Sequence, residues 1–456
     1  MTVLDPPLDS RTAQLRADLG ERVMLPGEPG YDRACMPWNL AAQLRPAAVA
    51  CPKSAEEVVE LVRAATAAGL RVAALSTGHA ADALSRGDLC DVLLVNLCSL
   101  RGVSVDPLAR TARVLGGATW NDVLAATAPH GLTALHGSAG TVSVAGYILA
   151  GGVSMYSRAH GLAVGSVREV QVVVSDGSLL RASAEENAEL FWALRGGSGN
   201  FGIVVSLEIE LLELTDVVAG FLLWDAARAA EVTHAWARWC EGSPESVTST
   251  LRVLHLPPLP SLPPFLQGRS VVVVDGAILE DDARAATLLE PLRALAPEVD
   301  TFARIPVAAV LAVHMDPPEP SPALSAHAVL EGLPTDAVDA YLAMAADPAL
   351  FVSELRQLGG AMGRAPEGSG AVGSLDGPFL VHTIAMAPVP EAVEAARCAA
   401  TAGVAALAPW HAPVGALTFV DGAEDPAPSY GAALGRLREL RRRLDPAGVF
   451  VAARPL

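Results

Sequence analysis

Glu186-Asn-Ala-Glu-Leu-Phe-Trp-Ala-Leu-Arg195-Gly-Gly-Ser-Gly-Asn-Phe-Gly202, running into Ile203-Val-Val-Ser-Leu-Glu-Ile-Glu-Leu-Leu212, is the stretch on which the fold turns. Gly197, Gly199 and Gly202 match the GxGxxG fingerprint of dinucleotide-binding domains. That fingerprint follows a strand and opens a helix, because the pyrophosphate rests on the helix N-terminus. Here the order is reversed. A helix-like run, Glu186 to Leu194, precedes the glycines, and they open the strand Ile203 to Leu212, which argues against a Rossmann domain. His136-Gly-Ser138-Ala-Gly140 is equally out of context as a nucleophile elbow, lacking the first glycine of GxSxG. The ten histidines include no HExxH or other ligand spacing, so no metal is expected.

Around this stretch the chain has 456 residues, 51% of them apolar and 18% charged, with mean hydropathy +0.36. Single cores stop growing near roughly 250 to 300 residues, so two domains are expected. Acidic residues outnumber basic ones 50 to 32, a net charge of −18 without basic clusters, which argues against nucleic-acid and anionic-membrane partners. Lys53 is the single lysine and sits beside a capping serine, a poor place for Schiff-base or P-loop chemistry. The six cysteines (Cys35, Cys51, Cys90, Cys98, Cys240, Cys398) are widely spaced and read as reduced core thiols. The N-terminal MTVLDPPLDS has no apolar leader and the run from Cys398 to Trp410 is too short to span a bilayer. The expectation is a cytoplasmic protein.

Up to Thr215 strand and helix signals alternate at short spacing. Ala47 to Cys51 is a predicted strand; Ser54 and Glu57 form a capping box, and Val58, Val59, Leu61, Val62 and Ala65 make the apolar stripe of a helix ending at Gly69. Strands are predicted at Val72 to Leu75, Val92 to Asn96, Ala112 to Leu115, Glu169 to Ser175 and Ile203 to Leu212. Beyond Thr215, helices at Ala226 to Cys240, Asp281 to Leu295 and Thr335 to Ala345 alternate with strands at Val247 to Leu256, Ser270 to Ile278, Pro378 to Ala387 and Ala416 to Val420. The proline-rich stretches 257–264 and 317–322 are loops, and a basic helix runs from Tyr430 to Arg443. A sheet covered by helices on one side leaves its other face free to roof a pocket.

Four glycine-rich turns fall at strand ends in the first half: Ser76 to His79, Gly116-Gly117, Gly137 to Gly152, and Arg195 to Gly202. Turns of this kind expose consecutive amides and allow close approach of a diphosphate. With Ser157-Arg-Ala-His-Gly161-Leu-Ala, Asp176-Gly177, Tyr31, Trp38-Asn39, Tyr430-Gly431, Arg436-Leu437 and Leu444-Asp-Pro-Ala-Gly-Val-Phe450, they resemble the vanillyl-alcohol-oxidase superfamily, in its berberine-bridge-enzyme-like bacterial branch. The resemblance implies an α+β chain: a two-subdomain PCMH-type FAD-binding domain (1–214), a substrate domain with an antiparallel sheet covered by helices (215–420), and a C-terminal segment (421–456) returning to the first. It places FAD against Ser76, Thr77, Gly78, His79, Ala80, Gly117, Gly140, Thr141, Gly146, Gly151, Gly202 and Ile203. His79 stands where many members bond the flavin 8-methyl carbon. Ala139 stands where others carry a cysteine, so a second link is not available.

Departures from the pattern are as informative. The loop Leu75-Ser-Thr-Gly-His-Ala80 has serine and threonine for two family glycines, and their hydroxyls are expected to donate to phosphate. Gly-Gly-Gly becomes Ala150-Gly151-Gly152, and the acidic residue usual after Gly-Leu-Ala-Val is Gly165. The tyrosine that takes the substrate proton in many members is missing from Gly415 to Phe419. On Val247 to Leu256, Thr248, Thr250 and Arg252 share one face and Ser249, Val253 and His255 the other. Catalytic candidates are Glu354, read as opening a strand towards Gly359-Gly360, His382 in mid-strand, and Arg252. The resulting reading is an FAD-dependent oxidase or dehydrogenase for an apolar small molecule, a polyketide-like intermediate of specialised metabolism, with hydride passing to flavin N5 and oxygen as reoxidant. The alternative is a redox-neutral cyclase, of cycloaddition type, with FAD structural or lost.

Overall fold

The helix Ala55–Ala67 shows how the first layer forms. Ser54 Oγ accepts from Glu57 N–H at 3.3 Å, while the Glu57 carboxylate accepts from Lys53 N–H at 2.7 Å, one residue before the expected arm of the box. The helix buries Val58, Leu61, Val62 and Ala65, and Gly69, at φ +72°, ends it in the left-handed conformation that costs glycine least. Beneath lies a sheet in the order Val23–Met24, Ala48–Ala50, Val92–Asn96, Arg71–Leu75, Phe450–Val451. Its Val92–Asn96 strand is buried at every residue, as a parallel strand covered on both faces must be. The computed structural model describes residues 10–456 apart from 261, 421 and 423, so the reading of the first nine residues lies outside the described residues.

A second, antiparallel sheet runs Val103–Asp106, Thr111–Leu115, Ile203–Glu210, Val167–Val173, Leu179–Ser183. The deciding stretch behaves as read: the helix Ala188–Gly197 precedes the glycine turn and Ile203 opens the strand. The third sheet is antiparallel and ordered Val299–Asp300, Asp216–Asp225, Ser270–Ile278, Val247–His255, Val352–Gln357, Phe379–Met386, Ala323–Leu330. Leu251, Val253 and Leu355 on one face join Trp236 and Tyr341 in the core beneath the helices Ala229–Gly242 and Thr335–Ala345. The other face carries Arg252, Glu354 and His382 and turns towards the first two sheets.

Arg158 fixes that orientation. Buried Arg158 donates from Nε to Val247 O at 2.7 Å and from Nη2 to Ser243 O at 3.3 Å, and Nη1 meets Leu358 O. At the C-terminus the basic helix is Leu434–Leu444, shorter than Tyr430 to Arg443. It packs back as expected: Arg441 donates to Asn200 Oδ1 at 2.8 Å, and Phe450–Val451 joins the first sheet in parallel with Arg71–Leu75.

Several sequence expectations need correction. Ala416 to Val420 is no strand. Leu417–Phe419 is a 3-10 turn, and Ala416 N–H donates to His327 Nε2 at 3.2 Å instead of to a strand neighbour. Glu354 is the third residue of its strand and does not open it. The strands Asp216–Asp225 and Ala323–Leu330 were not expected; the first is almost continuously buried, so it shows no alternation, and it carries Gly220 where a Cβ would lie 2.6 Å from Phe302 N. The six cysteines are free thiols, but Cys90, Cys98 and Cys398 are exposed and are not core residues. Among the described residues no helix is long and apolar enough to cross a membrane.

One buried group gives the fold a pH dependence. His136 is 1% exposed, beside Trp120 and Tyr156. Burial pushes its pKa down to about 4, against the opposing pull of a 2.7 Å contact with Gly137 O. The folded value lies below the ordinary one, so stability is lost as pH falls from about 6.5 towards 4, by on the order of 3 kcal/mol. Urea titrations at pH 7 and pH 5 are expected to show a smaller loss in His136→Gln than in the parent; equal losses contradict this.

Candidate active site

The strand Arg71–Leu75 delivers the loop Ser76 to Ala80 into a cleft, and the short helix Val144–Ile148 delivers Gly146 and Tyr147 from the facing side. The loop's carbonyls are tied down: Trp38 N–H donates to Thr77 O at 2.8 Å and Asn39 N–H to Gly78 O at 3.3 Å. Among the described residues the amides of Thr77, Gly78, His79 and Ala80 have no hydrogen-bond partner. Four consecutive free donors form a concavity for an anion, which a chain with one lysine needs if it is to hold a diphosphate. Gly146 and Gly199 present bare backbone to the same cleft, since a Cβ there would meet only Ser143 Oγ at 3.7 Å or Ala452 Cβ at 4.0 Å.

The loop hydroxyls have partners within the protein. Ser76 Oγ donates to Gly116 O at 3.2 Å, and Thr77 Oγ1 lies 2.9 Å from His79 Nδ1 and accepts from Ser143 N–H at 3.3 Å. They pin the loop to the second subdomain. Of the loop residues only Gly78 has positive φ, +80°, so serine and threonine at 76 and 77 cause no strain. His79 stacks on Trp38 at 4.3 Å and has Thr141 Oγ1 3.4 Å from Nε2. Burial lowers its pKa to about 4, despite the opposing field of Asp316, so the imidazole is neutral at pH 7.

The third sheet closes the cleft with a row of charge. Arg252, Glu354, His382 and His327 are directly opposite one another on four neighbouring strands. Glu354 Oε2 lies 3.6 Å from His382 Nδ1 and 3.8 Å from His314 Nε2, and Glu354 Oε1 meets Arg356 Nε. Burial would raise the Glu354 pKa, but Arg356, His314 and His382 outweigh it and hold the carboxyl well below the usual range. His382 and Arg356 line the cleft, with Phe419 edge-on to the first at 5.3 Å and beneath the second at 5.1 Å.

Residues 46–183 match a family model described as an FAD binding domain. The chain therefore carries an FAD-binding domain over these residues. Wild-type BBE-like 1 from Physcomitrella patens superposes with a TM-score of 0.84 over 98% of each chain at 19% identity. (R)-6-hydroxynicotine oxidase of Paenarthrobacter nicotinovorans is 32% identical over 203 residues, 44% of each chain. Chitooligosaccharide oxidase of Gibberella zeae is 30% identical over 261 residues, 56% of this chain and 50% of that protein. The matches thus span half or less of these curated relatives' own length.

In this chain the cleft gathers Ser76, Thr77, Gly78, His79, Ala80, Gly146 and Gly202, and Ala139 lines it where a second link would need sulfur. Gly117, Gly140, Thr141, Gly151 and Ile203 stand behind the wall. A Cβ on Gly117 would lie 1.9 Å from Leu97 O and one on Gly140 2.0 Å from Asn121 Oδ1, so these glycines serve packing. Arg252 and Glu354 also stand behind the cleft surface, Arg252 donating to Asp275 Oδ2 at 2.6 Å and to His314 O at 2.6 Å. The sequence reading missed Arg356, Tyr147 and the Asp275–His314 pair. Arg356 was within reach, because it shares a strand face with Glu354 two residues away.

Proposed function

We propose that this chain is an FAD-dependent oxidase that removes hydrogen from a small molecule at a carbon bearing a hydroxyl or amino group. The observation that carries this reading is one cleft with the free amides and neutral His79 on one wall and His382, backed by ionised Glu354, on the other. The residues present fit FAD: the four amides and bare glycines would hold its phosphates, and His79 is placed to carry the flavin ring, in the neutral form a bond to carbon requires. Bound FAD would supply the hydride acceptor.

His382 takes the substrate proton. Glu354 is held ionised by Arg356 and His314, so it is not the group that gains a proton near neutrality; it stabilises the charge that His382 acquires. Arg356 Nη1, which has no protein acceptor among the described residues, donates to the substrate heteroatom. Phe419 fixes both side chains from below and excludes water. Arg252 acts through Asp275 and His314. Oxygen as reoxidant is supported by the two relatives' names as oxidases. Those names give no support to redox-neutral cyclisation, nor to a polyketide-like substrate.

Oxygen uptake with sugars, cyclic amines and hydroxylated aromatics tests the reading. The expected result is one hydrogen peroxide per oxidised product for at least one class. Conversion of any substrate to an isomer without peroxide contradicts it.

A further inference from the structure

Behind the cleft wall lies the buried pair of Asp275 and His314, neither of which lines the cleft. Asp275 is 0% and His314 2% exposed. Asp275 Oδ2 lies 3.0 Å from His314 Nδ1 and accepts from Arg252 Nη2 at 2.6 Å. The His314 main chain is held as well: its carbonyl accepts from Arg252 Nη1 at 2.6 Å, and the next residue, Met315, takes the left-handed conformation at φ +57°. A non-glycine residue is held there only when its surroundings over-determine it. The ring therefore has one fixed end, Nδ1, and one working end, Nε2.

Nε2 faces three groups. Arg356 Nη2 is 3.2 Å away, Glu354 Oε2 3.8 Å and Asp316 Oδ1 4.0 Å. Only the first is within hydrogen-bond distance, and the bond exists only when Nε2 carries no proton. We infer that His314 is a positioning residue for Arg356: its neutral form accepts from Nη2 and fixes the guanidinium that meets the substrate, and its protonated form turns instead to Glu354 and Asp316 and releases that hold.

The charges facing the imidazole come from every element packed on it: Asp275 and Arg252 on two strands, Glu354 and Arg356 on a third, and Asp316 on its own loop. Asp316 also acts on His79, and Arg356 on Tyr147, across the cleft. Burial and Arg252 push the His314 pKa down, but Asp275 and Asp316 outweigh them and leave it raised to about 8. The change of partner then falls just above neutrality, where Arg356 stays charged.

The inference rests on the proposed role of Arg356 in substrate contact, and its test does not need turnover. The probe is benzamide, neutral across the range, with a carbonyl that accepts from a guanidinium; binding to the FAD-loaded protein is read from the flavin spectrum. Affinity is expected to rise about threefold or more between pH 7 and pH 9 in the parent. His314→Leu weakens binding at pH 9 by about tenfold. His314→Gln, whose amide both donates to Asp275 and accepts from Arg356, restores binding but abolishes the pH step, and it keeps the test open if the leucine variant fails to fold. Absence of binding to the parent, parent-like affinity in His314→Leu, or survival of the step in His314→Gln overturns the inference. If Arg356→Ala binds benzamide like the parent, it is the proposed Arg356 contact that has failed.

Discussion

Replacing His382 with glutamine lowers the rate of flavin reduction by about 100- to 10,000-fold, the range over which a positioned proton acceptor acts. The side chain sits on the cleft surface within a charge row, its Nδ1 3.6 Å from Glu354 Oε2, so proton uptake leaves a cation beside an anion already in place. Glutamine fills similar space but takes no proton. Flavin content should be unchanged, since His382 lies on the wall opposite the free amides. Glu354→Gln should cost less, because it removes the stabilising charge and leaves the acceptor. Rapid-mixing measurement of flavin reduction under anaerobic conditions separates the two: equal losses, or a parent-like rate in the histidine variant, contradict the assignment.

Gly78→Ala lowers FAD affinity by on the order of 10- to 100-fold. A left-handed conformation costs an L-residue roughly 1–2 kcal/mol, and here the cost does not stand alone. At φ +80° an alanine Cβ would lie 2.5 Å from Pro37 Cβ and 2.8 Å from Pro37 Cα, so the loop must shift away from the Trp38 segment. The shift carries with it the Thr77 to Ala80 amides and the His79 ring stacked on Trp38. Flavin per protein after reconstitution reads the effect, and full loading in Gly78→Ala contradicts it.

How far the sequence was legible follows from which features are local. The glycine turn before Ile203 and the capped helix Ala55–Ala67 depend on neighbours in the chain, and their spacing announces them. His79 was singled out through the family resemblance, which rests on a local pattern, a glycine and a histidine at a strand end. The charge row was legible only in part. Alternation puts Glu354 and Arg356 on one face, but the register that sets Arg252, Glu354 and His382 side by side is a property of three strands separated by long insertions. Asp275 and His314 lie 39 residues apart, meet only in the folded sheet, and leave no trace in either segment. The turn at Leu417–Phe419 was misread for a related reason: the residues suit a strand, but Ala416 N–H is claimed by His327 from another element.

The central claim is that FAD occupies the cleft against His79. The visible absorption spectrum of the purified protein, repeated on pellet and supernatant after acid precipitation, tests it most directly. A flavin spectrum that stays with the pellet, and moves to the supernatant in His79→Ala, is the predicted result. A colourless protein that gains no flavin spectrum on incubation with excess FAD would contradict the account.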